Sequence, residues 1–376
     1  MKANFKDLLE DYQIEGGVRV PTTFNGAEYF LFFDDKKNRI DKRYAFYRRN
    51  QKVVADALIG TFPRRFETTS NIALTQWSYP FNIYKSLRAI GTVRTDRLTP
   101  LATDAQTLAD AITREQRLGL KMEYIFDNTI DIAINIKNGT RYKFYAEAVK
   151  RIALNLSDDP SFEFGNGFLG VVGFDARHYK RFLKHSVLAL RAAGATSFGA
   201  EKILFHLGGV ENWLDLPRNK FDNSIPIPQD GSFAYQAGAA NLRGFRLNIR
   251  NGNSFALINS EVRIPILRYL FPRTRSAFIR NFQTVGFFDA GTAWEGPTPF
   301  AKENPINTVF LFDGESQSNA PVVLKVNYFR DPLVACYGVG ARMLLFGYML
   351  RIDYAWGIET RVVQDPRLYF SLGMDF

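Results

Sequence analysis

The C-terminal residues of the chain alternate between apolar and polar side chains, and this period of two constrains the fold more than any other feature. One set occupies every second position and is apolar: Leu368, Phe370, Leu372, Met374 and Phe376. The residues between them are mostly polar or small: Arg367, Tyr369, Ser371, Gly373 and Asp375. A helix would mix the two sets on every side, whereas a strand separates them onto two faces. The segment is therefore predicted to be a strand with one apolar face.

The same alternation recurs along the chain, for example in 337–343, 348–359, 258–266, 117–126 and 141–148. Counting all such segments gives about fourteen strands, many of them near the ~9–11 residues that a tilted strand needs to cross a membrane, and the barrel expected from them has about 14–16. Charged residues stand in the middle of the polar faces, as Arg351 and Asp353 do, and aromatic residues such as Tyr348 and Trp356 stand towards strand ends. This arrangement favours an all-β transmembrane antiparallel barrel with a polar lumen. A soluble β-rich binding domain also alternates and is the alternative.

Composition excludes other classes. The 376 residues are 46% hydrophobic, but no run approaches the ~20 apolar residues of a spanning helix. The single cysteine, Cys336, rules out an internal disulfide and a cysteine metal cluster, and three scattered histidines disfavour a structural metal. Basic residues are interleaved with acidic ones despite the net charge of +10, which favours a polar lumen over a nucleic-acid surface. We expect no enzyme activity, metal or cofactor.

The predicted organisation is a lead-in over residues 1–12 and one barrel domain over 13–376, with a long loop at 208–251. Connections of this length without secondary structure are usually functional or disordered. Met1 runs into Lys2-Ala3-Asn4-Phe5-Lys6 without the apolar stretch of an export signal. Because a bacterial outer-membrane protein must be exported, we expect the chain to be the C-terminal part of a longer protein.

Several stretches in fixed order carry a family resemblance. They are Leu242-Arg243-Gly244-Phe245 in the long loop, 259–265 and 285–294 in the next two strands, and 337–342 and 350–355 in the last pair before the closing strand. Together they resemble the barrel domain of the bacterial outer-membrane assembly-factor superfamily (the surface-antigen barrel domain). This superfamily includes barrel-assembly insertases, their translocation-and-assembly relatives and two-partner secretion transporters. The resemblance is specific over 208–376 and looser before it.

The resemblance implies roles for individual residues. It makes Leu242, Arg243, Gly244 and Phe245 the tip of a loop that folds into the lumen, with Asp289 as the acidic partner of Arg243. A guanidinium suits such a carboxylate, and glycine permits a close backbone approach. The closing strand resembles the recognition signal of outer-membrane barrels, carried by Phe370, Leu372, Met374 and Phe376.

The resemblance also implies a function, which is the insertion, assembly or translocation of proteins at the outer membrane. The expected partners are outer-membrane lipid, client outer-membrane or secreted proteins, and periplasmic or lipoprotein partners bound through upstream domains. The seam between the first strand and 367–376 is the expected place for a client strand to pair. Two alternatives remain open, a passive pore or uptake barrel and the soluble β-rich binding domain.

Overall fold

The computed structural model describes the chain except for residues 1, 21–25, 56–63, 102–111, 156–160, 215–220, 223–224, 226, 228–232, 240, 302–307, 313–321, 328–329 and 346. Strands account for 72% of the structure and helices for 3%. The predicted all-β class is confirmed. Of the described helices, none is long and apolar enough to cross a membrane, a finding that has no bearing on spans made of strands.

The chain divides into two compact units. The first comprises Met1–Ile125 and Tyr145–Gly170. Six strands lie wholly within it: β1 (Lys2–Lys6), β2 (Tyr12–Arg19), β3 (Gly26–Asp35), β4 (Asp41–Ala55), β5 (Arg64–Pro80) and β6 (Lys85–Leu101). Each of these strands pairs antiparallel with the next along the chain. Three further strands have residues in both units: β7 (Thr113–Asp127), β9 (Ile136–Asn155) and β10 (Ser161–Arg181).

The second unit comprises Phe126–Phe144 and Val171–Phe376. Its elements are β8 (Ile130–Ala133), β11 (Val187–Gly199), β12 (Lys202–Leu207), β13 (Phe233–Gly238), β14 (Arg250–Gly252), β15 (Ser254–Ile264), α1 (Ile266–Leu270), α2 (Ala277–Asn281), β16 (Gln283–Trp294), β17 (Thr308–Phe312), β18 (Val323–Asn327), β19 (Val334–Leu345), β20 (Tyr348–Glu359), β21 (Val362–Val363) and β22 (Arg367–Leu372). The antiparallel order β11-β15-β16-β19-β20-β22 carries the candidate site.

Seventeen strands of the described chain belong to one sheet. Without its two shortest members, β8 and β21 of four and two residues, the number falls within the predicted 14–16. Outside this sheet, β12 pairs with β13 in parallel and with β14 antiparallel, and β17 pairs with β18. The range 1–12, predicted as a lead-in, contains β1, which pairs with β2. The range 208–251, predicted as one loop, contains β13 and the start of β14.

The strands of the second unit bury their polar face and expose their apolar face. In β20 the buried residues are Met349, Arg351, Asp353, Ala355 and Gly357, whereas their neighbours on either side are exposed or half-buried. In β15 the side chains of Glu261 and Arg263 are buried while Ile258 is 57% exposed. A sheet that faces water on one side shows the reverse pattern. Strands with lipid outside and a polar interior show this one.

The buried charges of this face are paired. Arg342 donates to Asp353 Oδ1 at 2.8 Å and to Asp375 Oδ2 at 2.7 Å, and Arg263 Nε donates to Glu261 Oε2 at 2.8 Å. Pairing is what makes a buried charge tolerable, because an isolated one loses its hydration without compensation. The polar face is therefore a connected ionic network.

Candidate functional site

One row of cross-strand neighbours forms the floor of the candidate site. The four residues lie on the polar face of β15, β16, β19 and β20, and each is the direct partner of the next: Asn259, Asp289, Cys336 and Gly357. The last two have small side chains. Because side chains on one face of a sheet stack along such rows, the small residues leave room above them for another segment of chain.

The tip of the long loop crosses this row, strand by strand. The carbonyl oxygen of Asn241 accepts a hydrogen bond from Asn259 Nδ2 at 3.0 Å, above β15. Arg243 then binds Asp289 on β16. A Cβ added at Gly244 would lie 3.1 Å from Cys336 Cβ on β19 and 2.8 Å from the Gly357 nitrogen on β20. The loop tip is therefore docked over the row along its length.

Arg243 is held by three strands at once. Its Nε and Nη2 donate to the two carboxylate oxygens of Asp289 at 2.7 and 2.8 Å, and its Nη1 donates to Glu261 Oε1 at 2.7 Å. A carboxylate oxygen of Asp353 lies 4.0 Å from Nη1. The guanidinium carbon also lies 3.6 Å from the centre of the Phe287 ring. This is a two-point ion pair with a cation–π contact, the geometry for which arginine is suited.

The charge of Arg243 is fixed by these neighbours. Burial alone would lower the pKa of the guanidinium, but Asp289 and Glu261 outweigh it and raise the pKa well above its ordinary value. Removing either side of such a buried pair leaves an uncompensated charge behind. The contacts of Arg243 therefore hold the loop tip in place, and they break only if the whole tip moves.

The rest of the tip is held by its backbone and by close packing. Leu242 is fully buried, and its N–H donates to the carbonyl oxygen of Gly209 at 3.1 Å. Gly244 has a φ of +86°, in the region that favours glycine. The Phe245 ring packs on Gly357, where an added Cβ would lie 2.6 Å from a ring carbon. Tyr369 Oη of β22 donates to the carbonyl oxygen of Phe245 at 2.8 Å.

The structure brings the five motif residues from the sequence together with others that the motif did not indicate. Arg243 and Asp289 are in direct contact, as the resemblance implied. The sequence showed Glu261 and Asp353 as charges in the middle of strands, but it did not show that both lie beside Arg243. Tyr369 and Gly357 carried no individual signal, because their part depends on the register of strands far apart in sequence.

The four residues of the predicted terminal signal do not share one face to the end of the chain. Phe370 and Leu372 are half-buried in β22, but the strand ends at Leu372, and Gly373 has a φ of +125°. Beyond this break Met374 is 64% exposed. The Phe376 ring instead lies 5.2 Å from the Arg263 guanidinium and packs against the buried cluster of Ile136, Tyr179, Val187 and Ala189.

The inward turn of the C-terminus has a polar cause. Asp375 accepts hydrogen bonds from Arg342 Nε at 2.7 Å and from Asn135 Nδ2 at 2.8 Å, and it lies 3.8 Å from Arg263. Its backbone N–H also donates to Asn135 Oδ1 at 3.0 Å. A continued strand would move this carboxylate away from its partners, so the tail leaves the strand after Leu372.

The second edge of β22 is paired with the chain's own long loop. The Leu214 N–H donates to the carbonyl oxygen of Phe370 at 2.7 Å, and the Leu372 N–H donates to that of Asn212 at 3.4 Å. Trp213 is thereby the antiparallel partner of Ser371, and its ring lies 4.9 Å from that of Tyr369. We call residues 212–214 the edge segment. It supplies the hydrogen bonds that a neighbouring strand would make.

Among the comparisons with known proteins, those with solved structures show the fold. No protein-family model matches the chain, and no curated protein matches it in sequence. The solved structure of BamA from Haemophilus ducreyi lacking POTRA domains 1–3 is similar over 99% of this chain and 69% of that one, with 13% identity and a TM-score of 0.55. CdiB from Acinetobacter baumannii is similar over 99% of this chain and 55% of its own length, with 10% identity and a TM-score of 0.52. The likeness at these identities is one of fold, and the chain therefore has the fold of these two proteins.

Proposed function

We propose that the chain is the barrel part of a protein that inserts or translocates other proteins at the bacterial outer membrane. The observation that carries the proposal is the pairing of β22 with the edge segment. A passive pore does not require a last strand whose second edge is paired with only a few residues of the chain's own loop. An insertase needs such an edge, because an extended client segment binds by adding a strand to it.

The likeness to BamA and CdiB supports the proposal through the fold alone. The apolar outer face and the ionic interior of the second unit support a place in a membrane. The proposed partners are outer-membrane lipid, client barrel or secreted proteins, and periplasmic or lipoprotein partners bound by regions upstream of this chain. The activity exchanges one set of backbone hydrogen bonds for another, so it needs no catalytic group, ATP, metal or cofactor.

Conditional depletion of the parent protein tests the proposal. All outer-membrane barrels are quantified by mass spectrometry as the protein disappears. A broad loss is expected of a general insertase, and the loss of one or two proteins is expected of a dedicated transporter. An unchanged profile would reject the proposal and favour a passive pore.

A reversible clamp tests the role of the edge. Trp213 and Ser371 form a non-hydrogen-bonded antiparallel pair, and the Cα atoms of such pairs lie about 4.5 Å apart, within the range of a disulfide. Trp213→Cys with Ser371→Cys is expected to abolish rescue of the depleted strain when oxidised and to restore it after reduction. The single variant Ser371→Cys is the control and should rescue under both conditions. Full rescue by the oxidised double variant would show that the edge plays no part.

A further inference from the structure

Two neighbouring turns of the second unit carry basic residues without acidic ones. The end of β10 with the turn that follows it, and the connection between β15 and β16, contribute seven: Lys180, Arg181, Lys184, Arg268, Arg273, Arg275 and Arg280. Neither 176–186 nor 265–283 contains an aspartate or a glutamate. We call these seven residues the basic rim. It contrasts with the rest of the chain, where basic and acidic residues are interleaved.

Direct contacts hold the two turns together. The His185 N–H donates to Tyr269 Oη at 2.9 Å, and Ser186 Oγ lies 3.1 Å from the same oxygen. The His185 and Tyr269 rings lie 6.1 Å apart. Burial lowers the pKa of His185, and the positive charges of Arg268, Lys184 and Arg181 lower it further. The two turns therefore lie side by side, and Arg268, Lys184 and Arg181 act on the same imidazole.

The basic rim lacks ionic partners within the chain. In the described part of the structure, none of its seven side chains forms an ion pair with a carboxylate. Six of them are exposed and Arg268 is half-buried. Like charges on neighbouring turns repel one another unless counter-charges are supplied from outside. The surface is thus complementary to an array of anions.

Large apolar side chains stand among these cations. Phe182, Leu183, Leu270, Phe271 and Phe278 are between 43% and 66% exposed. The basic rim also lies at the C-terminal end of β15, whereas the long loop leads into the N-terminal end of that strand. The outward side chains Ile258 and Val262 lead along β15 towards it. Apolar and aromatic residues mixed with cations at the end of an apolar band suit the headgroup region of a bilayer.

We propose that the basic rim binds the phosphate groups of anionic phospholipids in the membrane that the barrel spans. The proposal rests on that membrane placement but not on client insertion. The phenylalanine and leucine side chains enter the boundary of the acyl chains, and the guanidinium and ammonium groups bind the phosphates above them. A protein partner with an acidic face would meet the cations but would leave the apolar residues at the bilayer boundary without a role.

Lipid selectivity measured by spin label tests the proposal. The full-length protein is reconstituted in phosphatidylcholine vesicles that contain a trace of spin-labelled phosphatidylglycerol or spin-labelled phosphatidylcholine. The fraction of motionally restricted label gives the relative association constant. We expect a preference of about threefold or more for phosphatidylglycerol, weakened by high salt because the cations are exposed.

A matched pair of variants makes the test specific. Arg273→Gln, Arg275→Gln and Arg280→Gln together should bring the preference close to one. Lys36→Gln, Lys37→Gln and Arg39→Gln remove the same charge from a turn flanked by Asp34, Asp35 and Asp41, and they should leave it unchanged. Retained heat-modifiable migration in electrophoresis confirms that each variant is folded.

Three results would overturn the proposal. These are no preference in the unmodified protein, a preference that survives the rim substitutions, or an equal loss in both triple variants, which would reflect net charge alone. An acidic protein as the true partner would give the first of these results.

Discussion

Arg243 is the residue whose removal the structure predicts to be most damaging at the loop tip. Its guanidinium serves two fully buried carboxylates, Asp289 and Glu261, through three hydrogen bonds. Arg243→Ala leaves both acids without their cation, and breaking a buried pair in this way costs about 3–5 kcal/mol. Urea unfolding of the protein in detergent, followed by the loss of β-sheet circular dichroism, measures this loss. Arg361→Ala is the control, because the Arg361–Asp331 pair is exposed and exposed pairs contribute little. Equal stability of the two variants would contradict the conclusion that the contacts of Arg243 hold the loop tip in place.

Gly244 is predicted to control access to the only cysteine. Gly244→Ala places a Cβ against the Gly357 backbone and the Cys336 side chain, so the tip must lift from the row. Cys336, which is fully buried, should then react with a maleimide, whereas it resists in the unmodified protein. Gly347→Ala is a matched control, since Gly347 has a similar φ of +83° with open space around its Cβ position. Protection of Cys336 in both variants would contradict a tip held by close packing.

For single residues, the family resemblance implied the contact between Arg243 and Asp289 but not the shape of the site. A local motif is enough to mark an arginine and an acidic residue that follow one another in the expected order. The row that receives the tip depends on the pairing of β16 with β19, which are separated by some forty residues of chain. No local pattern shows that Cys336 and Gly357 stand beside Asp289.

The strands also have some features that local sequence determines and others that depend on residues far away in the chain. Alternation predicted β15, β19 and β20 and their two faces, because a period of two is a property of each strand alone. It also predicted that the last strand would run to Phe376, whereas β22 ends at Leu372. The cause lies outside the strand, in the partners that Asp375 finds on Arg342 and Asn135.

The edge segment gives a prediction at the level of elements. Leu214→Pro removes the N–H that donates to Phe370 and should release the segment from β22. The Leu372 amide, which donates to Asn212, should then exchange its hydrogen about tenfold faster or more, as expected when a backbone hydrogen bond is lost. Hydrogen exchange with mass spectrometry measures this rate on C-terminal peptides. Leu214→Ala shortens the same side chain but keeps the N–H, so its exchange should match the unmodified protein. Equal protection in both variants would show that the segment does not cover the edge.

On the scale of the whole molecule, the buried charges and exposed apolar residues of the second unit have one explanation in lipid and none in water. Arg342 and Asp353 are buried while Val339, on the same strand as Arg342, is 58% exposed. In water this arrangement loses hydration of the charges and leaves the hydrophobic surface uncovered. In a bilayer the outward face is solvated by acyl chains, and the ionic network fills the interior. The buried loop tip is part of that interior.

Val339 makes this explanation testable, since it lies in the middle of β19 on the outward face. Val339→Arg places a charge against acyl chains and should cost about 2–4 kcal/mol if the strand crosses a bilayer. Val363→Arg is the matched control, because Val363 is 52% exposed but lies in the turn-side pair β21, beyond the expected span. Reversible unfolding from phosphatidylcholine vesicles, followed by tryptophan fluorescence, compares the two variants. A large loss for Val339→Arg and little for Val363→Arg places β19 in lipid. Similar small losses for both would mean that Val339 faces water, and the membrane placement on which the proposed function rests would fail with it.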